Sequence, residues 1–172
     1  MKTDTLDFIL QHVLRKTHVI FLGVFARDQI PSLNSIKFPS CFVSNTDPCT
    51  SPGSHCVAFY LNSPNDIEFF CSYGMHPSVY GFTIPITHYN TTQFQSFDSN
   101  VCGHYCIYFL YVRSRSNQAL DSMFNHSNHS WNDKQVHLWL KKQILPSIFK
   151  SSISSSPPCR NACIQSCTCR NK

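Results

Sequence analysis

The segment "HCVAFYLN", residues 55–62, the turn "SPND" and then "IEFFCSYG", residues 67–74, constrain the fold more than any other part of the chain. In the first arm His55, Val57, Phe59 and Leu61 point one way and Cys56, Ala58, Tyr60 and Asn62 the other, the period-two alternation of a strand. The polar break between the arms makes the pair a β-hairpin. A buried strand is expected at 19–25 ("VIFLGVF") and another at 41–45 ("CFVSN"). Residues 26–40 read as loop, with Pro31 and Pro39 as breakers. Val79 to His88 is apolar and β-rich, interrupted by Pro85.

Helical patterning lies outside the hairpin. Leu6, Ile9, Leu10, Val13 and Leu14 recur at the spacing of one helix face, so 5–16 reads as an amphipathic helix capped by Asp4 or Thr5. The apolar run after Cys102 reads as a buried helix ending near Arg113 and Arg115. Residues 132–145 put Val136, Trp139, Leu140 and Ile144 on one stripe of a surface helix, with Asn132 or Asp133 as cap and Pro146 as stop. Strands and helices in separate stretches give the α+β class.

A chain of 172 residues, 42% hydrophobic and 13% charged with 14 Phe, is sized for one domain, here 1–150, and is too apolar for disorder. Residues 151–172 form a low-complexity Ser/Pro/Cys tail expected to be disordered, and no internal repeat is present. The formal charge is +5, of which the tail carries Arg160, Arg170 and Lys172 and no acid. The body is therefore nearly neutral, and any nucleic-acid contact falls to the tail. No segment approaches the roughly 20 continuous apolar residues of a membrane span. Asp4 and Asp7 stand where a secretory signal carries positive charge, so an intracellular site is expected. Ten cysteines are then mostly reduced thiols, and the sequons at Asn90, Asn125 and Asn128 are chance matches. Cys159, Cys163, Cys167 and Cys169 lack the paired knuckles of a zinc site, so no metal is expected.

One thiol has a chemical address. "SNVCGHYCIYFLY" sets Cys102 in the first turn of the buried helix if Ser99 or Asn100 caps it. Free N–H groups and the positive end of the helix dipole favour a thiolate there. Gly103, lacking a Cβ, would let a substrate carbonyl approach the backbone amides. A thiol nucleophile needs a base. Of nine histidines, His104 projects away from Cys102, His12 and His137 sit on helix surfaces, and His126 and His129 fall in a polar loop. His55 opens a strand at a sheet rim and is the candidate. Gln95 supplies a side-chain amide able to donate to an oxyanion.

"GSHCVAFYLN", "IEFFCSYG", "QSFDSNVCGHYCIYFL" and "FLGVFARDQIP" resemble blocks of the adenovirus maturation endopeptidase (adenain) family and its relatives in Maverick/Polinton elements. These belong to the wider clan of ubiquitin-like-protein proteases. The resemblance runs from about residue 5 to about residue 145 and rests on the order His, acid, Gln, Cys. It implies a papain-like cysteine protease fold of the adenain type, a twisted mixed sheet packed against a central helix headed by the nucleophile. It further implies Cys102 as nucleophile, His55 as general base, and Gln95 with the Cys102 amide as oxyanion hole. The implied activity is a cysteine endopeptidase that cleaves virion or capsid precursor proteins, in a virion or host nucleus if the source is viral. It works as a monomer without a cofactor, with DNA or an activating peptide as stimulants known in the family.

Two positions depart from the family pattern. Cys71 stands at the acid that orients the histidine, and Cys56 replaces a Trp after the histidine. Glu68 faces the opposite side of its strand, Asp66 lies at the far end, and Asp98 reaches the site only if its loop folds back. As a small apolar filler, Cys71 leaves an inactive, protein-binding remnant as the rival reading. A protease for a ubiquitin-like modifier is a third, against which Cys56 speaks. Cys106, one turn beyond Cys102, is a packing residue or a disulfide partner protecting the nucleophile.

Overall fold

The computed structural model describes residues 1–116, 124–125, 127–146 and 148. The 151–172 tail with its four cysteines, the boundary at 150 and His126 lie outside the described residues.

The chain is α+β, with three helices and one mixed five-stranded sheet, in the order β1-β2-β3-β4-β5, among the described residues. The hairpin forms as its alternation dictates: β3 (Cys56–Ser63) and β4 (Asp66–Phe70) pair antiparallel, with Phe59 opposite Phe69. β2 (Ser40–Asn45) lies antiparallel on the other side of β3, Asn45 opposite Cys56. β1 (Ile20–Phe25) pairs parallel with β2 through the loop predicted at 26–40. Val79–His88 departs from its apolar pattern. Residues 77–80 make a single helical turn, and only β5 (His88–Tyr89) joins the sheet, parallel to β4. Ile84 and Ile86 instead pack on the sheet from a loop, so their hydrophobicity is satisfied without a ladder.

The alternation divides two cores. Cys41, Val43, Ala58, Tyr60 and Phe70 face the helices, joining Leu6, Ile9 and Leu10 of α1 (Thr3–Leu14) and Tyr105, Ile107, Phe109 and Leu110 of α2 (Cys102–Arg113). Phe42, Val57, Phe59, Leu61, Ile67, Phe69 and Cys71 face the other way, under the 30–38 and 80–86 loops. Phe42 stacks on Phe59 at 4.5 Å, and Phe70 on Phe109 at 4.8 Å. Each such fully buried ring contributes on the order of 2–3 kcal/mol of burial free energy.

Helix ends depart from expectation. The residue before α1 is Lys2, with no side-chain cap, and Val101, not Ser99 or Asn100, precedes α2. α3 (His129–Trp139) starts earlier than predicted, with the Asn128 side chain accepting from the Trp131 N–H at 3.0 Å. The expected caps Asn132 and Asp133 are buried. They hold the loop before α2: Asn132 donates to the Phe94 carbonyl at 3.1 Å, and Asp133 accepts from the Ser96 N–H at 3.2 Å and the Tyr105 hydroxyl at 2.9 Å. Past α3 the chain continues as a wider turn, Leu140–Ile144, and its helical path runs on to Pro146.

Candidate active site

The start of β3 and the start of α2 meet at the rim of the sheet. His55 immediately precedes β3. Its carbonyl accepts from the Thr46 N–H at 2.9 Å, which extends the β2–β3 ladder by one step and fixes the backbone that carries the ring. Asp47 shapes the intervening loop by accepting from the Ser54 N–H at 2.7 Å and from the Ser54 hydroxyl. The imidazole is buried and stacks on Tyr73 at 4.5 Å.

Two sulfurs flank that ring. Nε2 lies 3.4 Å from Cys71 Sγ. Nδ1 is buried with no hydrogen-bond partner among the described residues, and His55 lines one cleft together with Cys102. Cys102 begins α2, where His104 and Tyr105 make the first bonds, to the Val101 carbonyl at 2.9 and 3.2 Å. The N–H groups of Cys102 and Gly103 precede those bonds and remain open, as helix starts leave them. Thus the thiol sits at the positive end of the helix dipole without the expected cap.

Charge follows from this geometry. Cys102 falls to about 4: hydrogen bonding from Cys56 is the largest cause, burial opposes it, and His55 adds to it. Burial works against a charge on His55, but its hydrogen bonds to Cys102 and Cys71 and their negative charge raise it to about 9. Both shifts favour a thiolate beside an imidazolium.

Cys71 is fully buried, yet it is not an inert filler. Burial pushes its thiol up, and contacts from His55, the Tyr80 hydroxyl at 3.3 Å and the Met75 N–H pull it below its ordinary value. Three polar groups converge on one sulfur. Asn90 bridges its backbone, accepting from the Cys71 N–H at 2.9 Å and donating to the Cys71 carbonyl at 2.8 Å. Gly74 closes the turn by donating to the same carbonyl at 2.9 Å. Its φ of +67° and a backbone oxygen of Thr91 2.7 Å from where a Cβ would sit exclude other residues.

The three carboxylates weighed for the acid position lie elsewhere. Glu68 pairs with Arg113 at 2.7 Å on the helix side of the sheet. Asp66 contacts His88 at 3.6 Å, and Asp98 accepts from the Ser96 hydroxyl at 2.6 Å.

Gln95 is fully buried and ties the strand end to the nucleophile loop. Its Oε1 accepts from the Ser72 hydroxyl at 2.6 Å, while its amide donates to the Ser99 carbonyl at 2.8 Å and the Ser99 hydroxyl at 3.1 Å. The donor expected at the oxyanion is at rest turned to Ser99. Gly103 is also differently placed: it is buried, and the position of its missing Cβ lies 3.5 Å from Met1 and 3.7 Å from Leu6. One residue beyond Cys102 on a helix is about 100° round the axis, so Gly103 faces α1 rather than the cleft.

Cys56 is the residue whose role sequence reasoning missed. Hydrogen bonding from it is the largest influence lowering the Cys102 thiol, and it lines the same cleft. The alternation put its side chain opposite His55, toward the helices, but could not say that α2 begins directly above it. Both thiols line an open cleft of about 660 Å³, walled by Met1–Asp4, Leu6, Ser54, His55, Tyr73 and Ser99. Tyr73 carries Phe97 stacked at 5.2 Å and 71% exposed, an aromatic lip beside the cleft.

Among the described residues no group of His, Cys, Asp or Glu is arranged to hold a metal, and no helix is long and apolar enough to cross a membrane. Comparison of the sequence with protein-family models and with curated proteins finds no match.

Proposed function

We propose that the chain is a cysteine endopeptidase with a papain-like fold of the adenain type, acting on precursor proteins of a virus or virus-like element. The observation that carries the reading is the meeting of His55 and Cys102, from distant parts of the sequence, in the lining of one open cleft, and the opposite shifts of their pKa values agree with it. The resemblance in chain order supplies the substrate class.

The thiolate of Cys102 attacks the scissile carbonyl, and the oxygen gains the electron pair of the broken π bond. That oxyanion faces the open N–H of Cys102, and Gln95 joins by exchanging one of its bonds to Ser99. Collapse expels the amine, which takes the proton from His55 and leaves an acyl thioester on Cys102. Neutral His55 then accepts a proton from water as water attacks the thioester, and the carboxylic product departs with the thiolate restored. Cys71 supplies, as a buried anion-ready sulfur, the acceptor that holds Nε2–H and orients the ring. A serine enzyme starts from a neutral hydroxyl and depends heavily on that third member; a preformed thiolate depends on it less.

A peptide bearing an electrophilic carbon tests this. The wild-type protein should become covalently labelled at Cys102, and Cys102→Ala should take up none. A wild-type protein that reacts with small alkylating agents but ignores the peptide would instead be the protein-binding remnant.

A further inference from the structure

Four sulfurs crowd the site, and the proteolytic reading uses only two of them. Cys102 carries the chemistry and Cys71 holds the ring. Cys106 points into the core between α1 and α2 and is fully buried, with its thiol pushed well up by burial. The position expected to protect the nucleophile is therefore closed to solvent. Cys56 differs from both. It is half-buried, it lines the open cleft together with Cys102, and its hydrogen bonding is the largest influence on the Cys102 thiol.

From this we infer that Cys56 and Cys102 form a reversible redox modification site: a peroxide oxidises Cys102, and Cys56 resolves it as a disulfide across the cleft. The inference builds on the reactive thiolate of the proteolytic reading but not on peptide cleavage itself.

The steps balance as follows. The Cys102 thiolate attacks the distal oxygen of a hydroperoxide, so an S–O bond forms as the O–O bond breaks. The sulfur loses two electrons, and the departing alkoxide or hydroxide takes a proton from His55. The resulting sulfenic acid meets the Cys56 thiol. The Cys56 sulfur attacks the sulfenic sulfur, the S–S bond forms as the S–O bond breaks, and the departing hydroxide leaves as water with the proton of the Cys56 thiol. Two thiols and one hydroperoxide yield one disulfide, one alcohol or water, and a second water. A thiol reductant reverses the modification by exchange.

Position explains why Cys56 is the resolving partner. It stands at the start of β3 on the cleft that it shares with Cys102, whereas Cys71 is fully buried on the Nε2 side of His55. A bond from Cys102 to Cys106 would have to close within one turn of a single helix. Without Cys56, the exposed sulfenic acid would proceed to sulfinic and sulfonic acids, which thiols do not reduce.

The full chain is treated with hydrogen peroxide, its free thiols are capped, and it is cut with pepsin, because no Lys or Arg lies between Lys37 and Arg113 for trypsin to use. Cys102 is also titrated with iodoacetamide before and after dithiothreitol; this reagent needs a thiolate and no peptide site, so the result stands even if the protein cleaves nothing. Wild type should give a Cys56–Cys102 linked pair lighter by two hydrogens and regain its alkylation on reduction. Cys56→Ser keeps a hydrogen-bond donor but cannot cross-link, so Cys102 should gain oxygen and the regained fraction should fall about tenfold relative to wild type. Cys106→Ala should behave as wild type. A link from Cys102 to Cys106 or to a tail cysteine, or equal recovery in Cys56→Ser, would overturn the inference.

Discussion

The two sides of the His55 ring present the same element in opposite surroundings. On one side Cys102 is half-buried at the mouth of a cleft, under an open helix start. On the other, Cys71 is sealed among Tyr80, the Met75 N–H and the Phe59 and Phe69 core. A sulfur with access to carbonyl carbon and to water can be a nucleophile. One that meets only hydrogen-bond donors can be a counter-anion. Location, not residue type, divides the labour.

Breaking the open side should have the largest effect. Cys102→Ala should abolish covalent labelling and reduce peptide hydrolysis by about 10⁴- to 10⁶-fold, measured by kcat/KM, since the residues of such a unit fail together. His55→Gln comes next, at about 10²- to 10⁴-fold. It should also move the onset of Cys102 alkylation to higher pH, because the thiolate loses its cation.

The sealed side should give smaller changes and sharpen the contrast. Cys71→Ala leaves the Nε2–H, the Tyr80 hydroxyl and the Met75 N–H facing a void, and an unsatisfied buried donor costs about 1–3 kcal/mol. A slowing of about ten- to a hundredfold in kcat/KM is expected. Cys71→Asp places a harder anion among the same three groups, and a charge-assisted bond stronger by about 1 kcal/mol is worth about fivefold in rate above wild type. The pH profile separates orientation from simple destabilisation. With Cys102 at about 4 and His55 at about 9, alkylation in wild type should rise through the lower value and hold its ion-pair plateau to the upper. Cys71→Ala should pull the upper edge below 9, and Cys71→Asp should push it back. Equal profiles in all three proteins would remove Cys71 from the mechanism.

Much of this was legible because it is local. Strict alternation over 55–62 set the two faces of β3, and parity separated Glu68 from Cys71 and put it on the helix side, where the structure pairs it with Arg113. The apolar run after Cys102 implied a buried helix with a thiol at its start. What could not be read depends on contacts between distant segments. Asn132 and Asp133 have the residue types of caps, but their place beside the Phe94–Ser96 loop recruits them as clamps. Val79–His88 has strand composition, but Ile84 and Ile86 bury themselves from a loop. Gln95 has the right amide, but Ser99 is the nearer acceptor. Cys56 looked like a lost Trp, and only the position of α2 above it shows that its thiol serves the nucleophile.

A second comparison extends the first to a buried histidine whose ring partner is another histidine. His104 lies two residues beyond Cys102, on the side of α2 that faces α3, with Nε2 3.4 Å from His137 Nδ1. Burial lowers its pKa to about 4, and the neighbouring His137 adds to the shift. His55, also buried, moves the other way because two sulfurs compensate its charge. The unfolded chain therefore binds a proton at residue 104 between about 6.5 and about 4 that the folded chain refuses. Unfolding gains protons in that window, so the stability tied to His104 is complete above 6.5 and is lost progressively as pH falls toward 4. His104→Leu should flatten this part of the Tm–pH curve while leaving alkylation of Cys102 on its plateau. His12 is lowered in the same direction by burial and by nearby Arg15 and Lys16, and it is present in both proteins, so the difference between the curves isolates residue 104. A variant curve parallel to wild type from pH 7 to pH 4 would mean that the α2–α3 contact accepts the proton, and that burial beside a second histidine does not discharge this one.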